Sequence, residues 1–168
     1  ILRELSDRLR VELPQLEKLA RLIAELDLLS AKARLALDFR CVEPELVTDR
    51  HVLVLEEARH MVLEHVLRQR GEAIVPLSIA LDDAHRVLII SGPNAGGKTV
   101  AVKTIGLIAL MAQSGMLVPA RAATLPVFRS LLADIGDRQS LVANLSTFTA
   151  HITSVREMAE QLREPALV

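Results

Sequence analysis

Aliphatic residues recur every three or four positions at the start of the chain: Leu2, Leu5, Leu9, Leu16, Leu19, Ile23, Leu26, Ala33 and Leu37. Charged residues fill the positions between them, and this spacing predicts an amphipathic helical segment over residues 1–41. Pro14 falls inside the pattern, and its missing N–H and bulky ring should kink or split the helix near Leu13. Such a segment either covers the core of its own domain or forms an arm that packs on a partner helix and transmits motion. The spacing alone admits both.

After residue 41 the rhythm shortens. Pro44 and Asp49 bracket a turn, and His51-Val52-Leu53-Val54-Leu55 reads as a short strand. Residues 56–70 can be helical but lack a clean period, with Gly71 as the stop. Residues 74–81 resume a strand pattern, Asp82-Asp83-Ala84-His85 is a turn, and 87–91 is a further strand. Residues 98–112 form an amphipathic helix closed by Ser114-Gly115, with Gly115 suited to a left-handed cap. Met116-Leu117-Val118 restarts a strand that Pro119 stops, 127–133 is another strand candidate, and helical spacing returns over 152–162. Strand–loop–helix–strand order of this kind predicts an α/β unit over residues 42–168, a mainly parallel sheet with flanking helices.

The densest chemistry lies at the junction of the 87–91 strand and the helix after it. There the chain reads Gly92-Pro93-Asn94-Ala95-Gly96-Gly97-Lys98-Thr99, which is G-x-x-x-x-G-K-T in the context a phosphate-binding loop requires. Gly92, Gly96 and Gly97 let the backbone curl so that successive N–H groups converge on an anion. Lys98 brings a compact positive charge for β/γ-phosphates, and the Thr99 hydroxyl is placed to ligate Mg²⁺. Both residues open a helix, whose N-terminal partial charge favours the same anion. The motif points to ATP or ADP with Mg²⁺.

Composition narrows the alternatives. In 168 residues, 51% are hydrophobic, yet Trp and Tyr are absent and Phe39, Phe128 and Phe148 are the only aromatics, so the core must be aliphatic. Few aromatic surfaces are available to stack single-stranded bases. The net charge of −1 leaves no basic footprint for nucleic acid on this segment. Cys41 stands alone, so no internal disulfide forms, and it reads as a small packed hydrophobe of a reducing compartment. His51, His60, His65, His85 and His151 show no zinc spacing. No apolar run approaches a membrane span and no signal peptide opens the chain, which together predict a cytoplasmic protein. A start at Ile1 and a stop within the apolar run Ala166-Leu167-Val168 suggest a piece of something longer.

Beyond the loop, Met111-Ala112-Gln113-Ser114-Gly115, Val118-Pro119-Ala120 and Leu145-Ser146-Thr147-Phe148 make the chain resemble the ATPase domain of the MutS family, an ABC-type P-loop fold. Several details are similar to the MutS-two branch, which lacks a mismatch-reading domain. These are Thr99 in place of the usual Ser, the 133–140 run Ala-Asp-Ile-Gly-Asp-Arg-Gln-Ser, and Ser146-Thr147-Phe148-Thr149-Ala150-His151. Ala24-Glu25-Leu26-Asp27-Leu28 with Ala31-Lys32-Ala33-Arg34 resembles that branch's core helix, which makes residues 1–41 a core or lever segment. One departure is Arg59-His60-Met61, where the family usually has Arg-His-Pro.

The resemblance implies roles. Ile74 and Val75 would bracket the adenine, and Asn94 would reach a γ-phosphate oxygen or the attacking water. Ser146 and Thr147 lie just before a helical segment, where either hydroxyl can cap it. By resemblance the same loop completes the site of a second protomer, giving a homodimer with shared ATP sites. Asp134 and Gln139 are candidates for the metal or γ-phosphate, while Asp137 reads as a surface residue. The acidic strand end that such ATPases need would follow Val168, so the piece alone should bind nucleotide poorly and turn it over hardly at all. The whole protein would couple ATP to clamping on branched DNA, with a nuclease domain and possible ribosome contacts outside this sequence. A mismatch-repair MutS and a non-catalytic dimerisation module are the competing readings. A transporter ATPase would carry L-S-G-G-Q where this chain has Leu145-Ser146-Thr147-Phe148.

Overall fold

The structure, a computed structural model, describes residues 2–93, 97–135 and 144–168. Helix α1 (Leu2–Asp38) leads into strands β1 (Glu45–Val47) and β2 (Leu53–Ala58), helix α2 (Met61–Gln69) and strand β3 (Leu77–Leu81). Helix α3 (Lys98–Gln113), strands β4 (Ala122–Pro126) and β5 (Ser130–Leu131), helix α4 (Asn144–Gln161) and strand β6 (Ala166–Leu167) follow. Four strands form one sheet in the order β1-β4-β2-β3, and β5 pairs with β6 separately.

The sheet is mixed, which corrects the mainly parallel expectation. β1 runs parallel to β4 and β5 to β6, but β2 is antiparallel to both β3 and β4. Alternation of strands and helices dictates layering, because each apolar face must be covered. It does not dictate direction, which depends on the end of the sheet to which each connection returns.

The core sits where α3 meets β2 and β4. Leu55, Ile108, Val118, Pro119 and Leu125 are fully buried, joined by Leu53, Ile105, Ala109, Met111, Ala112 and Ala123. It is aliphatic, as the composition requires, with Phe128 at its margin. α3 ends as expected: Gly115 adopts φ 65° and donates to the Ala112 carbonyl at 3.1 Å, while Met116 N–H donates to Met111 at 3.0 Å.

Local expectations fail where a tertiary partner decides. Residues 56–58 belong to β2 rather than a helix, with a bulge at Glu57 (φ 50°) whose N–H donates to Ser78 Oγ at 3.0 Å. Met116-Leu117-Val118 makes a single bridge, Val118 to Val42, instead of a strand. Of the 127–133 candidate only Ser130-Leu131 is a strand, β5, and the longer β4 lies just before it, ending at Pro126. Residues 87–91 form no strand. Val87 and Ile89 are 79% and 85% exposed, and a strand exists only with a hydrogen-bonded neighbour, which no described residue supplies.

α1 runs through Pro14 without a break. Pro removes one helical N–H, and the helix continues through this exposed turn on the bonds to either side. Arg59-His60-Met61 is also explained. His60 is the N-cap of α2, its Nδ1 accepting from Leu63 N–H at 3.3 Å, and Met61 occupies the first helical position. That position has no helical use for its N–H, so it tolerates Pro or Met.

Candidate nucleotide site

Of the three glycines in the candidate loop, Gly92 and Gly97 lie among the described residues. Gly92 has φ 151° and Gly97 φ 80°, values that L side chains rarely adopt, although an added Cβ would meet no atom within 4 Å at either. The demand is conformational rather than steric. Left-handed Gly97 is the N-cap of α3, with no side chain capping the helix, and its carbonyl accepts from Ala101 N–H at 2.9 Å. The N–H groups of the first turn lack intrahelical acceptors and point out of the helix end.

Lys98 folds back over this end. Its Nζ donates to the carbonyls of Gly92 at 2.6 Å and Pro93 at 2.8 Å. The ammonium is therefore held against the start of the loop, from the first residue of α3. Thr99 is exposed in the first turn of α3, its hydroxyl accessible to a metal. Exposed amide donors, a positioned ammonium and a free hydroxyl fit a nucleotide phosphate with Mg²⁺.

The far end of α3 is anchored, so its N-terminus points in one direction. Gln113 clamps the Phe128 backbone, Nε2 donating to its carbonyl at 3.1 Å and Oε1 accepting from its N–H at 2.8 Å. Lys32 of α1 donates to the carbonyls of Ser114 and Gly115, both at 3.3 Å, at the negative end of the helix dipole. Sequence reasoning missed both residues, because the partners of each are backbone atoms distant along the chain.

The remaining candidates are placed as follows. Ile74 is half-buried and Val75 88% exposed, both in the connection between α2 and β3. Asp134 is exposed just after β5. Asn94, Ala95, Gly96, Asp137 and Gln139 lie outside the described residues. Ser146 and Thr147 fall within the first turn of α4 rather than before it, which corrects the N-cap position expected for them. The helical period extends back from Ile152 through Phe148 to Leu145, a signal the sequence reading passed over.

An open cleft of about 260 Å³ lies elsewhere, lined by His51, Leu81, Arg86, Phe128 and the 164–168 segment, and it includes no phosphate-loop residue. A phosphate bound by backbone amides at a helix end needs no deep cavity. Among the described residues no cluster of His, Cys, Asp and Glu is arranged to hold a metal by itself.

Residues 88–168 match the family model MutS domain V, which begins in the run leading to the loop and takes in α3, α4 and β4 to β6. The Endonuclease MutS2 of Shouchella clausii is 44% identical over 169 residues, an alignment that takes in all of this chain and 21% of that protein. The chain belongs to the MutS family, in its MutS2 branch. The Endonuclease MutS2 of Carboxydothermus hydrogenoformans is 39% identical over all of the chain and 21% of the relative. That of Synechocystis sp. is 41% identical over 96% of the chain and 20% of the relative. The chain thus spans about a fifth of the length of these curated MutS2 relatives.

Proposed function

We propose that residues 92–99 bind the phosphates of ATP or ADP with Mg²⁺, and that the chain is the nucleotide-binding part of a MutS2-type ATPase. The observation that carries this reading is Lys98 held over the N-terminus of α3 behind left-handed Gly97. Displacement of the Lys98 ammonium from the Gly92 and Pro93 carbonyls onto β/γ-phosphate oxygens exchanges two neutral acceptors for anionic ones, which are stronger partners. Thr99 supplies a hydroxyl to Mg²⁺, and Ile74 with Val75 flanks the adenine. Asn94, Asp134 and Gln139 serve the γ-phosphate, the water or the metal. Mg²⁺, when bound, neutralises charge that develops on the phosphates.

In this reading residues 1–41 form the lever segment and 42–168 the first part of the ATPase domain. Ser146 and Thr147, in the first turn of α4, meet the γ-phosphate of a second protomer, so that the whole protein works as a homodimer with shared sites in the cytoplasm. Its relatives carry the name endonuclease. The whole protein couples ATP binding and hydrolysis to clamping on branched DNA, suppressing recombination, with ribosomes as a second target. No described helix is long and apolar enough to cross a membrane.

The test is calorimetric titration of ATP into the full-length protein. Lys98→Ala should weaken binding about ten- to a hundredfold, the ~1.5–3 kcal/mol of a charge-assisted hydrogen bond. An unchanged affinity overturns the assignment.

A further inference from the structure

We infer that Arg59, Glu64 and Arg68 form a latch that locks the C-terminal end of α1 onto the α/β body, with Glu64 as its positioning residue. The latch involves no phosphate-loop residue and does not depend on the nucleotide reading.

α1 ends in a Schellman motif built on a non-glycine residue. Arg40 takes φ 48°, its N–H donates to Leu37 at 3.3 Å, and Cys41 N–H donates to Ala36 at 2.8 Å. The carbonyls beyond Leu37 turn towards α2, and two guanidinium groups meet them. Arg59 Nη2 donates to Phe39 O at 2.6 Å and Arg40 O at 3.1 Å, and Arg68 Nη1 donates to Asp38 O at 2.7 Å. The Arg68 guanidinium also lies 5.2 Å from the centroid of the Phe39 ring. Two cations therefore sit on the negative end of the α1 dipole.

Glu64 holds both cations in place. Its Oε1 accepts from Arg59 Nη1 at 3.4 Å and from Arg68 Nη2, and its side chain is only 7% exposed. A carboxylate buried to that extent is tolerated only when paired. Its second oxygen, Oε2, has no hydrogen-bond partner, so all of its compensation comes through Oε1 and the two arginines. The planar fork of Arg lets one side chain face a carboxylate and a carbonyl together, which an ammonium on a flexible stem does not reproduce. Arg59 is itself fixed to the body, its N–H donating to Pro119 O at 2.8 Å beside the His60 cap.

The latch matters because packing does little to orient α1. Among the described residues Leu9, Leu16, Leu19, Ile23 and Leu26 are all exposed, and Lys32 is a further polar tie to the body. A helix of 37 residues is about 55 Å long at 1.5 Å per residue, so each ~5° of play at the joint moves the far end by about 5 Å. Arg59, Glu64 and Arg68 thus set the direction of the arm.

The experiment uses the full-length protein with native cysteines replaced and spin labels at Glu17→Cys on α1 and Val62→Cys on α2, both exposed positions. The intact latch gives one narrow interspin distance. Glu64→Gln keeps the shape but removes the charge, and should broaden that distribution roughly twofold, measured far below the melting temperature. ATP affinity should stay unchanged. Should Glu64→Gln fail to fold, Arg68→Lys decides the matter, because it leaves the Arg59–Glu64 pair intact while removing the fork that holds Asp38 and Phe39. An unbroadened distribution in either folded variant overturns the latch.

Discussion

α1 and α3 are built from similar material and meet opposite fates. Both carry aliphatic residues at helical spacing, yet Leu26 of α1 is 62% exposed while Ile108 of α3 is completely buried. α3 lies across β2 and β4 and gives Thr104, Ile105, Ile108, Ala109, Met111 and Ala112 to the interior. α1 touches the body mainly through its last turns, where Leu35 and Phe39 pack against the core, and through polar contacts to backbone carbonyls. Periodicity therefore identifies a helix and its apolar stripe, but burial depends on what the tertiary structure lays against that stripe. α3 is held by packing and α1 by its end.

The largest effect that separates the two helices is a pair of truncations in the 168-residue chain. Ile108→Ala should cost about 2–5 kcal/mol in urea unfolding, the loss of a buried aliphatic plus its cavity. Leu26→Ala should stay within about 0.5 kcal/mol, as for an exposed position. Equal losses would break the comparison, because they would mean that the face of α1 is covered in solution.

A smaller effect sharpens it at the end of α1. Arg40 pays for a left-handed conformation that glycine adopts freely, and no hydrogen bond from its own side chain is described. Arg40→Gly should therefore stabilise the chain by about 0.5–1 kcal/mol, read as a raised urea midpoint with an unchanged slope. Destabilisation would show that the Arg40 side chain holds the joint alongside Arg59 and Arg68.

The smallest effect is chemical. Burial pushes the Cys41 thiol above its usual range, Arg59 pulls it down, and Glu64 adds to the rise. The folded thiol thus releases its proton later than an unfolded one. Its contribution favours the folded state at pH below the unfolded thiol's range and is lost as pH rises through the folded value. Alkylation at pH 8 should run more slowly than in urea-unfolded protein, and the gap should narrow as pH rises. Equal rates at pH 8 would mean that the joint is open.

Much of the candidate site was legible because it is local. Gly92, Gly97, Lys98 and Thr99 sit within eight consecutive positions, and the conformation each needs follows from its own backbone and the helix it starts. Gly115 was legible for the same reason. Lys32 and Gln113 were not, since their partners are backbone groups of distant segments. Glu64 has its arginines five residues before and four after it, but what those arginines hold, the carbonyls of residues 38–40, is distant. β4 was also missed: Ala122-Ala123-Thr124-Leu125-Pro126 has weak strand character, and it becomes a strand through β1 on one side and β2 on the other. Ser146 and Thr147 lie inside a helix that starts at Asn144, because its period runs back beyond Ile152 through Phe148 to Leu145.

The sequence by itself determined the phosphate-loop motif, the existence of the long helices, the aliphatic character of the core and the family. These rest on interactions within a few residues or on residue chemistry alone. Only the tertiary structure decided that β2 runs antiparallel to both neighbours, that residues 87–91 lack a strand partner among the described residues, and that α1 is held at its end by Arg59, Glu64 and Arg68. Each of these depends on groups far apart in the chain arriving at hydrogen-bonding distance. No local pattern encodes that meeting, because backbone donors and acceptors are the same at every residue and only their placement in space pairs them.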